Sequence, residues 1–473
     1  MIPRLPIIVV LGATGSGKSK LAIEIAKIFN GEIVSADSMQ LYKGLDVITN
    51  KVTAEERRMV PHHMLDFLEP HVSLNVVDYR NMALRKVEEI MAKGKLPLVV
   101  GGTNYYIESL LWKVLVAAEV NKATQLEGGR DGDEVGMGRC EGSSEAPEGV
   151  DEEEVGTDEC EFGDVPSGEL HKRLAEVDPE MAKLLHPNNR RKIVRSLEVY
   201  KQVGRRHSEL LKEQRKQDGG GSLGGPLRFS NSCILWLRCN PEVLDKRLDD
   251  RVDDMLKNGL IDEMLDFHRR YNANRLKANP NSPPDYTRGI FQSIGFKEFH
   301  EYLMMVEKEG VDKGAEENKE GGGDPKSEEL FRKGVEMLKL ATRRYARKQV
   351  RWINNRFLRR PDRQVPPVYG LDATDPSRWD ELVLTPASEI VRTLMTGKMP
   401  EGIAPLPFVS REDLDVEWDG EPKECDVCNR IFVDPVQWKV HLKSKKHKKM
   451  VQKRKALPEE RPEEESTKRT KLE

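Results

Sequence analysis

Ile7-Ile8-Val9-Val10-Leu11-Gly12-Ala13-Thr14-Gly15-Ser16-Gly17-Lys18-Ser19 is the stretch on which the reading of this chain turns. Its first five residues are an aliphatic run ending at glycine, the pattern of a strand buried on both faces. The next eight match G-x-x-x-x-G-K-S in full, and Leu21, Ile25 and Ile28 beyond them predict the apolar stripe of a helix. In such a strand–loop–helix, Gly12, Gly15 and Gly17 let backbone N–H groups turn inward around an anion at a helix N-terminus. Thr14 and Ser16 belong to the same cradle, Lys18 adds a point charge, and the Ser19 hydroxyl suits Mg²⁺. The loop says that a diphosphate or triphosphate binds. Kinases, NTPases and some transferases share it, so the reaction stays open.

Working outward, residues 32–36 and 96–100 read as further strands, with helical spacing over 78–93 between them. Residues 233–237 bring a fourth strand back to the sheet. Strands alternating with helices predict an α/β fold, a P-loop NTPase-like parallel sheet with helices on both faces. The core divides into 1–115 and a return over 226–360, which ends in one long basic helix from 331. An acidic insert separates them at 116–168. Its segment 124–165 holds 15 Asp/Glu against 2 Lys/Arg and 9 glycines, too polar to order itself. Residues 169–225 are helical and strongly charged, ending in the Gly-rich stretch 218–226. A low-complexity loop covers 311–327, a proline-bearing linker 361–422, and a charged tail 450–473.

Composition sets the outer limits. The 473 residues are 37% hydrophobic and 33% charged, with a formal net charge of -3. Six scattered cysteines fit a reducing compartment better than a disulfide framework. No apolar run is long enough to span a membrane. The folded motif begins almost at once, which leaves no room for a presequence in this form. The expected location is cytoplasmic or nuclear, and a mitochondrial pool would need an alternative start. Nothing in the sequence demands more than a monomer.

Two segments next to strand ends bear on the chemistry. Asp37-Ser38-Met39-Gln40 follows the second strand, where ligand crevices form in parallel sheets, though an Asp-Ser pair reads equally well as a helix cap. Gly101-Gly102-Thr103-Asn104-Tyr105-Tyr106 follows the third, as a ligand-holding turn or an ordinary strand-to-helix turn capped by Thr103. Arg251 presents paired donors for a phosphate clamp, or a surface ion pair within the Asp253/Asp254 run. His62 and His63 have no further ligands at metal spacing nearby and read as structural.

These segments together resemble the tRNA dimethylallyltransferase (tRNA isopentenyltransferase) family. The likeness runs through residues 12–19, 33–42, 61–66 and 101–106. It continues in order through motifs within 178–181, 186–200, 251–256, 292–298 and 340–349, and so covers nearly all of 7–360. The resemblance implies dimethylallyl diphosphate as donor and the N6 amine of the adenosine 3′ to the tRNA anticodon as acceptor, giving N6-isopentenyladenosine. The leaving diphosphate would then occupy the loop, with Mg²⁺ at Ser19. Asp37 is the candidate to accept the amine proton, Thr103 to position the amine or departing oxygen, and Arg251 to clamp the diphosphate. The resemblance makes 169–225 a tRNA-binding segment, with Arg191, Lys192 and Arg195 as contacts beside Asp37, Ser38, Met39 and Gln40. The family also implies a target base flipped into the pocket. A small-molecule or nucleoside kinase with RNA-binding appendages shares the loop, and a non-catalytic RNA-binding protein with a structural nucleotide site is a further alternative.

Residues 332–360 contain 11 Lys/Arg and one Glu, with Arg343, Arg347 and Arg351 spaced i, i+4 and i+8 and Tyr345, Trp352 and Phe357 interleaved. A basic face with aromatics predicts contact with the anticodon stem-loop. Finally, Cys425-x2-Cys428-x12-His441-x5-His447 fits a Cys₂His₂ zinc finger over 423–449, with Phe432, Trp438 and Leu442 as its small core. Lys439 to Lys455 adds nine Lys/Arg and no acid, as an RNA contact or a nuclear-import signal. The appended finger looks like the eukaryotic branch of the family.

Overall fold

The computed structural model describes residues 5–72, 74–113, 162, 165–219, 225–272, 286, 289–309, 325–359, 364–408, 423–428, 430–432 and 435–455. Most of the acidic insert, residues 220–224, most of the 311–327 loop and the tail beyond 455 lie outside them. The chain divides into two compact units, 1–114 with 214–410, and 115–213 with 411–473.

In the first unit the order is β1 Ile7–Gly12, α1 Lys18–Ile28, β2 Gly31–Ser35, α2 Ala54–Met59, β3 His62–His63, α3 Val76–Ala92, β4 Leu96–Val100 and α4 Asn104–Leu111. The second unit supplies α5 Ser167–Val177, α6 Pro179–Leu184, α7 Arg190–Val203 and most of α8 His207–Lys216. The first unit resumes with β5 Ser232–Arg238, α9 Pro241–Lys257, α10 Leu260–Phe267, α11 His300–Glu309, α12 Pro325–Ile353, β6 Val368–Asp372 and α13 Thr385–Met395. The finger holds β7 Lys423–Cys425, β8 Arg430–Phe432, α14 Pro435–Lys443 and α15 Lys445–Lys455.

Six parallel strands run in the order β3-β2-β4-β1-β5-β6. β1 lies between β4 and β5, with Val9 opposite Val99 on one side and Ile234 on the other. Its six residues are all buried, as a strand covered on both faces requires. Alternate residues serve opposite layers. Ile8 and Val10 pack with α1 and α13, while Ile7, Val9 and Leu11 pack with α3, α4 and Phe357. Among the described residues no helix is long and apolar enough to cross a membrane.

Three expectations need correction. Ile28 is 50% exposed, because the helix turns that position away from the sheet. The basic helix begins at Pro325, inside the segment read as loop, and its last turn widens into a π-turn at Asn354–Leu358. The supposed linker is largely part of the core. β6 is an edge strand paired with β5, and α13 covers the β1 face beside Trp379. Flanking prolines obscured a five-residue strand that is legible only beside its partner. Trp379 also reaches the phosphate loop. Gly17 has φ 92°, and a Cβ there would stand 2.8 Å from the indole. Trp379 donates to Glu24 at 2.7 Å, with the Lys20 ammonium 4.5 Å over its ring.

Candidate active site

The C-terminal ends of β1, β2 and β4 converge, and α9 and α12 close over them. They surround a cavity of about 250 Å³ lined by Thr14, Lys18, Ser19, Asp37, Gln40, His62, Gly102, Arg251, Tyr345 and Gln349, among others. A larger hollow of about 480 Å³ involves Lys51, Arg57 and Asp66. There Lys51 binds Asp66 at 2.7 Å and Asp46 at 2.7 Å, and Arg57 binds Asp66 at 3.1 Å, so its charges satisfy one another. The smaller cavity is the one that gathers unneutralised chemistry.

Within it, the first turn of α1 offers the unsatisfied amides of a helix N-terminus. Lys18 Nζ donates to Ala13 O at 2.9 Å, which holds the ammonium back across the loop. Burial pulls its pKa down to about 8, with Asp37 opposing and Arg251 reinforcing the shift. Asp37 sits just beyond β2. Burial raises its carboxyl above the usual carboxylate range, against the Met39 amide and the Lys18 and Arg251 charges. Arg251 is not a surface ion pair. Its Nη1 donates to Thr14 Oγ1 at 2.9 Å, its Nε is buried without a partner, and burial lowers its pKa to about 10.

Thr103 precedes α4 but does not cap it with its side chain. Its Oγ1 instead accepts from Ser38 N at 2.9 Å and donates to Ser38 Oγ at 3.1 Å. That bond joins the two strand-end segments, and Asp37 likewise makes a local turn through Met39 N at 3.0 Å without starting a helix. Gln40 Nε2 donates to Thr49 O at 3.2 Å and Asn50 O at 3.0 Å, tying the loop after Asp37 to the cavity wall.

Two sequence assignments change. Thr14 is a strut, since its amide donates to Gln349 Oε1 at 2.8 Å while its hydroxyl receives Arg251. On the basic face of α12, three cations are paired internally. Lys339 pairs with Asp253 at 2.6 Å, Arg343 with Asp249 and Arg347 with Asp245, three acids repeating i, i+4 along α9. Arg351, one turn on, is exposed. Sequence reasoning overlooked Gln349, which is 4% exposed, and gave Tyr345 to RNA stacking although its phenol lies 3.5 Å from Gly102 O. Their i, i+4 spacing was visible, but nothing local aimed them at the loop. Of the two histidines, His63 binds Glu32 at 2.7 Å, whereas His62 lines the cavity, its Nδ1 2.8 Å from Val60 O.

In the second unit, Arg191 and Lys192 on α7 are exposed, and Arg195 lies 3.4 Å from Glu198. In the finger, one ligand atom from each of Cys425, Cys428, His441 and His447 lies within 4.8 Å of the others. His447 Nδ1 is 3.6 Å from Cys425 Sγ and 3.5 Å from Cys428 Sγ. Tetrahedral zinc with its usual bond lengths sets that edge at about 3.6 Å. The buried Nε2 of His441 has no other partner, so the donor set fits Zn²⁺. The five-residue gap between the histidines spans a break at Ser444, whose hydroxyl accepts from His447 N at 3.1 Å. Phe432 stacks on His441 at 4.4 Å and meets Trp438 at 5.5 Å. Leu442, expected in this core, is 39% exposed because it faces away from the ligands.

Comparison with known proteins agrees with this geometry. A family model described as IPP transferase matches residues 40–356, and one described as zinc-finger double-stranded RNA-binding matches 422–448. The chain is 48% identical to the tRNA dimethylallyltransferase of Mus musculus, over 96% of this chain and 87% of the relative. It is 31% identical to that of Saccharomyces cerevisiae, over 93% and 91% respectively. A solved eukaryotic dimethylallyltransferase acting on tRNA superposes with a TM-score of 0.69 at 28% identity, covering 95% of this chain and 97% of the other.

Proposed function

This chain belongs to the IPP transferase family, that of the tRNA dimethylallyltransferases, and from that premise we propose how its own residues carry out the transfer. The reaction moves a dimethylallyl group from its diphosphate to tRNA. The acceptor we assign is the N6 amine of the adenosine 3′ to the anticodon. Its nitrogen forms a bond to C1 of the dimethylallyl group while the C1–O bond breaks, and diphosphate departs with the electron pair.

The α1 amides, Lys18 and Arg251 take up the charge that grows on the leaving oxygens. Oxygen donors with Ser19 among them suit Mg²⁺, which when bound would neutralise part of the diphosphate charge. An aromatic amine is a weak nucleophile, and Asp37 accepts its proton as the new bond forms. Its raised pKa makes it a better base, and Thr103 holds the neighbouring segment in place. The observation that carries this reading is the placement of Asp37 against Lys18 and Arg251 at one cavity, base beside anion site. A kinase can also set a carboxylate base beside its phosphates, so the family match and donor use separate the two readings.

Labelled dimethylallyl diphosphate and labelled ATP, each incubated with tRNA and the chain, test the reading. Label is expected on tRNA from the first alone, with the mass of one dimethylallyl group added. Label from ATP alone would turn the reading to a kinase. Separately, Asp37→Ala should abolish turnover while donor still binds, and near-normal turnover would remove Asp37 as base. The exposed cations of α7 and the finger, whose match is to an RNA-binding type, support a role in holding the tRNA.

A further inference from the structure

Gln349 is a buried polar side chain that the transfer reaction, as set out above, does not use. Its Oε1 accepts from Thr14 N at 2.8 Å, and its Nε2 donates to Gly102 O at 2.9 Å. Both partners are backbone groups, one only a donor and the other only an acceptor, so they fix which end of the amide is oxygen. The two hydrogen bonds lie on opposite sides of the chemistry. Thr14 belongs to the loop around the leaving group and is the residue Arg251 grips. Gly102 precedes Thr103, which is bonded to the segment carrying Asp37.

The fit is close. A Cβ added to Gly102 would stand 2.4 Å from Gln349 Nε2 and 3.4 Å from Asp37 Oδ2. A carboxamide presents an acceptor and a donor side by side without charge and without needing a proton from solution. An ionised glutamate would set oxygen against the Gly102 carbonyl, and a lysine would set a donor against the Thr14 N–H.

Resting on the transferase reading, we propose that Gln349 is a positioning residue that holds the diphosphate loop and the acceptor-side strand end at the separation needed for in-line attack. Holding reactants in register is worth orders of magnitude in rate, and a misplacement of about 1 Å can cost about a hundredfold.

The test uses the full chain with dimethylallyl diphosphate and tRNA. Gln349→Met keeps the length and shape but removes both hydrogen bonds. It should lower kcat by about tenfold to a hundredfold with donor KM little changed. Gln349→Glu keeps the bond to Thr14 but adds a carboxylate beside Asp37, which also faces Lys18, Arg251, Tyr79, Tyr106 and Tyr345. Its acidic limb of kcat should move to higher pH, a change that a loss of packing alone would not produce. Wild-type kcat in Gln349→Met overturns the proposal. So does a fall in thermal stability with kcat per folded molecule unchanged, which would leave Gln349 a brace of the fold only. A wild-type chain that labels no tRNA brings down the transferase reading itself, whereas an active wild type with an unaffected Gln349→Met removes the positioning role alone.

Discussion

Helix α12 and helix α15 are both rich in lysine and arginine, and in sequence they invite the same reading. In α12, Lys339, Arg343 and Arg347 meet Asp253, Asp249 and Asp245 along α9, and the opposite face sends Tyr345 and Gln349 into the cavity. In α15, KKHKKMVQKRK contains no acid, and Lys445, Lys446, Lys448, Lys449, Lys453 and Arg454 are exposed. The first helix spends Lys339, Arg343 and Arg347 on the fold, although Arg344, Lys348 and Arg351 are exposed. The second keeps most of its cations for solvent or a polyanion, with Arg454 also donating to the Asp426 carbonyl. Whether a basic helix is an RNA surface therefore depends on what lies across from it.

The comparison is broken most severely through the metal. Chelating zinc, or replacing Cys425 with Ser, should unfold the finger, since structural zinc supplies on the order of 10–16 kcal/mol to such modules. The lysines of α15 then lose their frame, and tRNA binding should weaken while the catalytic unit keeps its melting transition. A finger whose amide spectrum survives chelation would contradict the site.

Next in size is the ion-pair ladder. Arg343→Gln with Arg347→Gln should lower the stability of the first unit by about 1–2 kcal/mol, read from chemical unfolding, because part-exposed pairs contribute about 0.2–1 kcal/mol each and carboxylates are left unpaired. The salt dependence of tRNA binding should hardly change. A flatter salt response with unchanged stability would return these arginines to the RNA interface.

Lys446→Gln with Lys449→Gln should do the reverse. Each lysine that no longer neutralises a phosphate reduces the slope of log affinity against log salt by about 0.7–0.9, with no change in melting. An unaltered slope would assign the finger a partner other than tRNA.

The smallest effects are those of pH on single buried charges. Lys18 is held down to about 8, so donor capture in kcat/KM should decline as pH rises past that value and the loop loses its cation. A flat profile to pH 10 would show that the ammonium is not needed. Glu32 works in the opposite direction. Burial would raise it, but hydrogen bonds from Lys95 and His63 prevail and hold it at about 2. Its folded pKa lies below the unfolded one, so its contribution is complete above about 4.5 and is lost as pH falls toward 2. Unfolding curves for Glu32→Gln and the parent chain should therefore converge in acid.

Much of the fold was legible because its signals are local. The strands at 7–11, 96–100 and 233–237, the phosphate loop and the finger ligands all declare themselves by composition and spacing over a few residues. Asp37, Thr103 and Arg251 could be named as candidates because each stands next to such a signal or within a matching motif. β6, by contrast, has five residues between prolines, and its identity comes from pairing with β5. Trp379 gives no local sign that it abuts Gly17, and Gln349 gives none that it spans Thr14 and Gly102.

By itself, then, the sequence determined the anion-binding loop and the zinc ligand set. Short covalent spacing is enough to bring four ligands or a run of amides together. Which buried groups share a cavity, which cations are neutralised and which remain exposed was decided by tertiary packing. Those outcomes depend on partners up to several hundred residues away, as with Thr14 and Gln349 at a separation of 335, and on a loss of water that only the closed fold imposes on Asp37, Lys18 and Arg251.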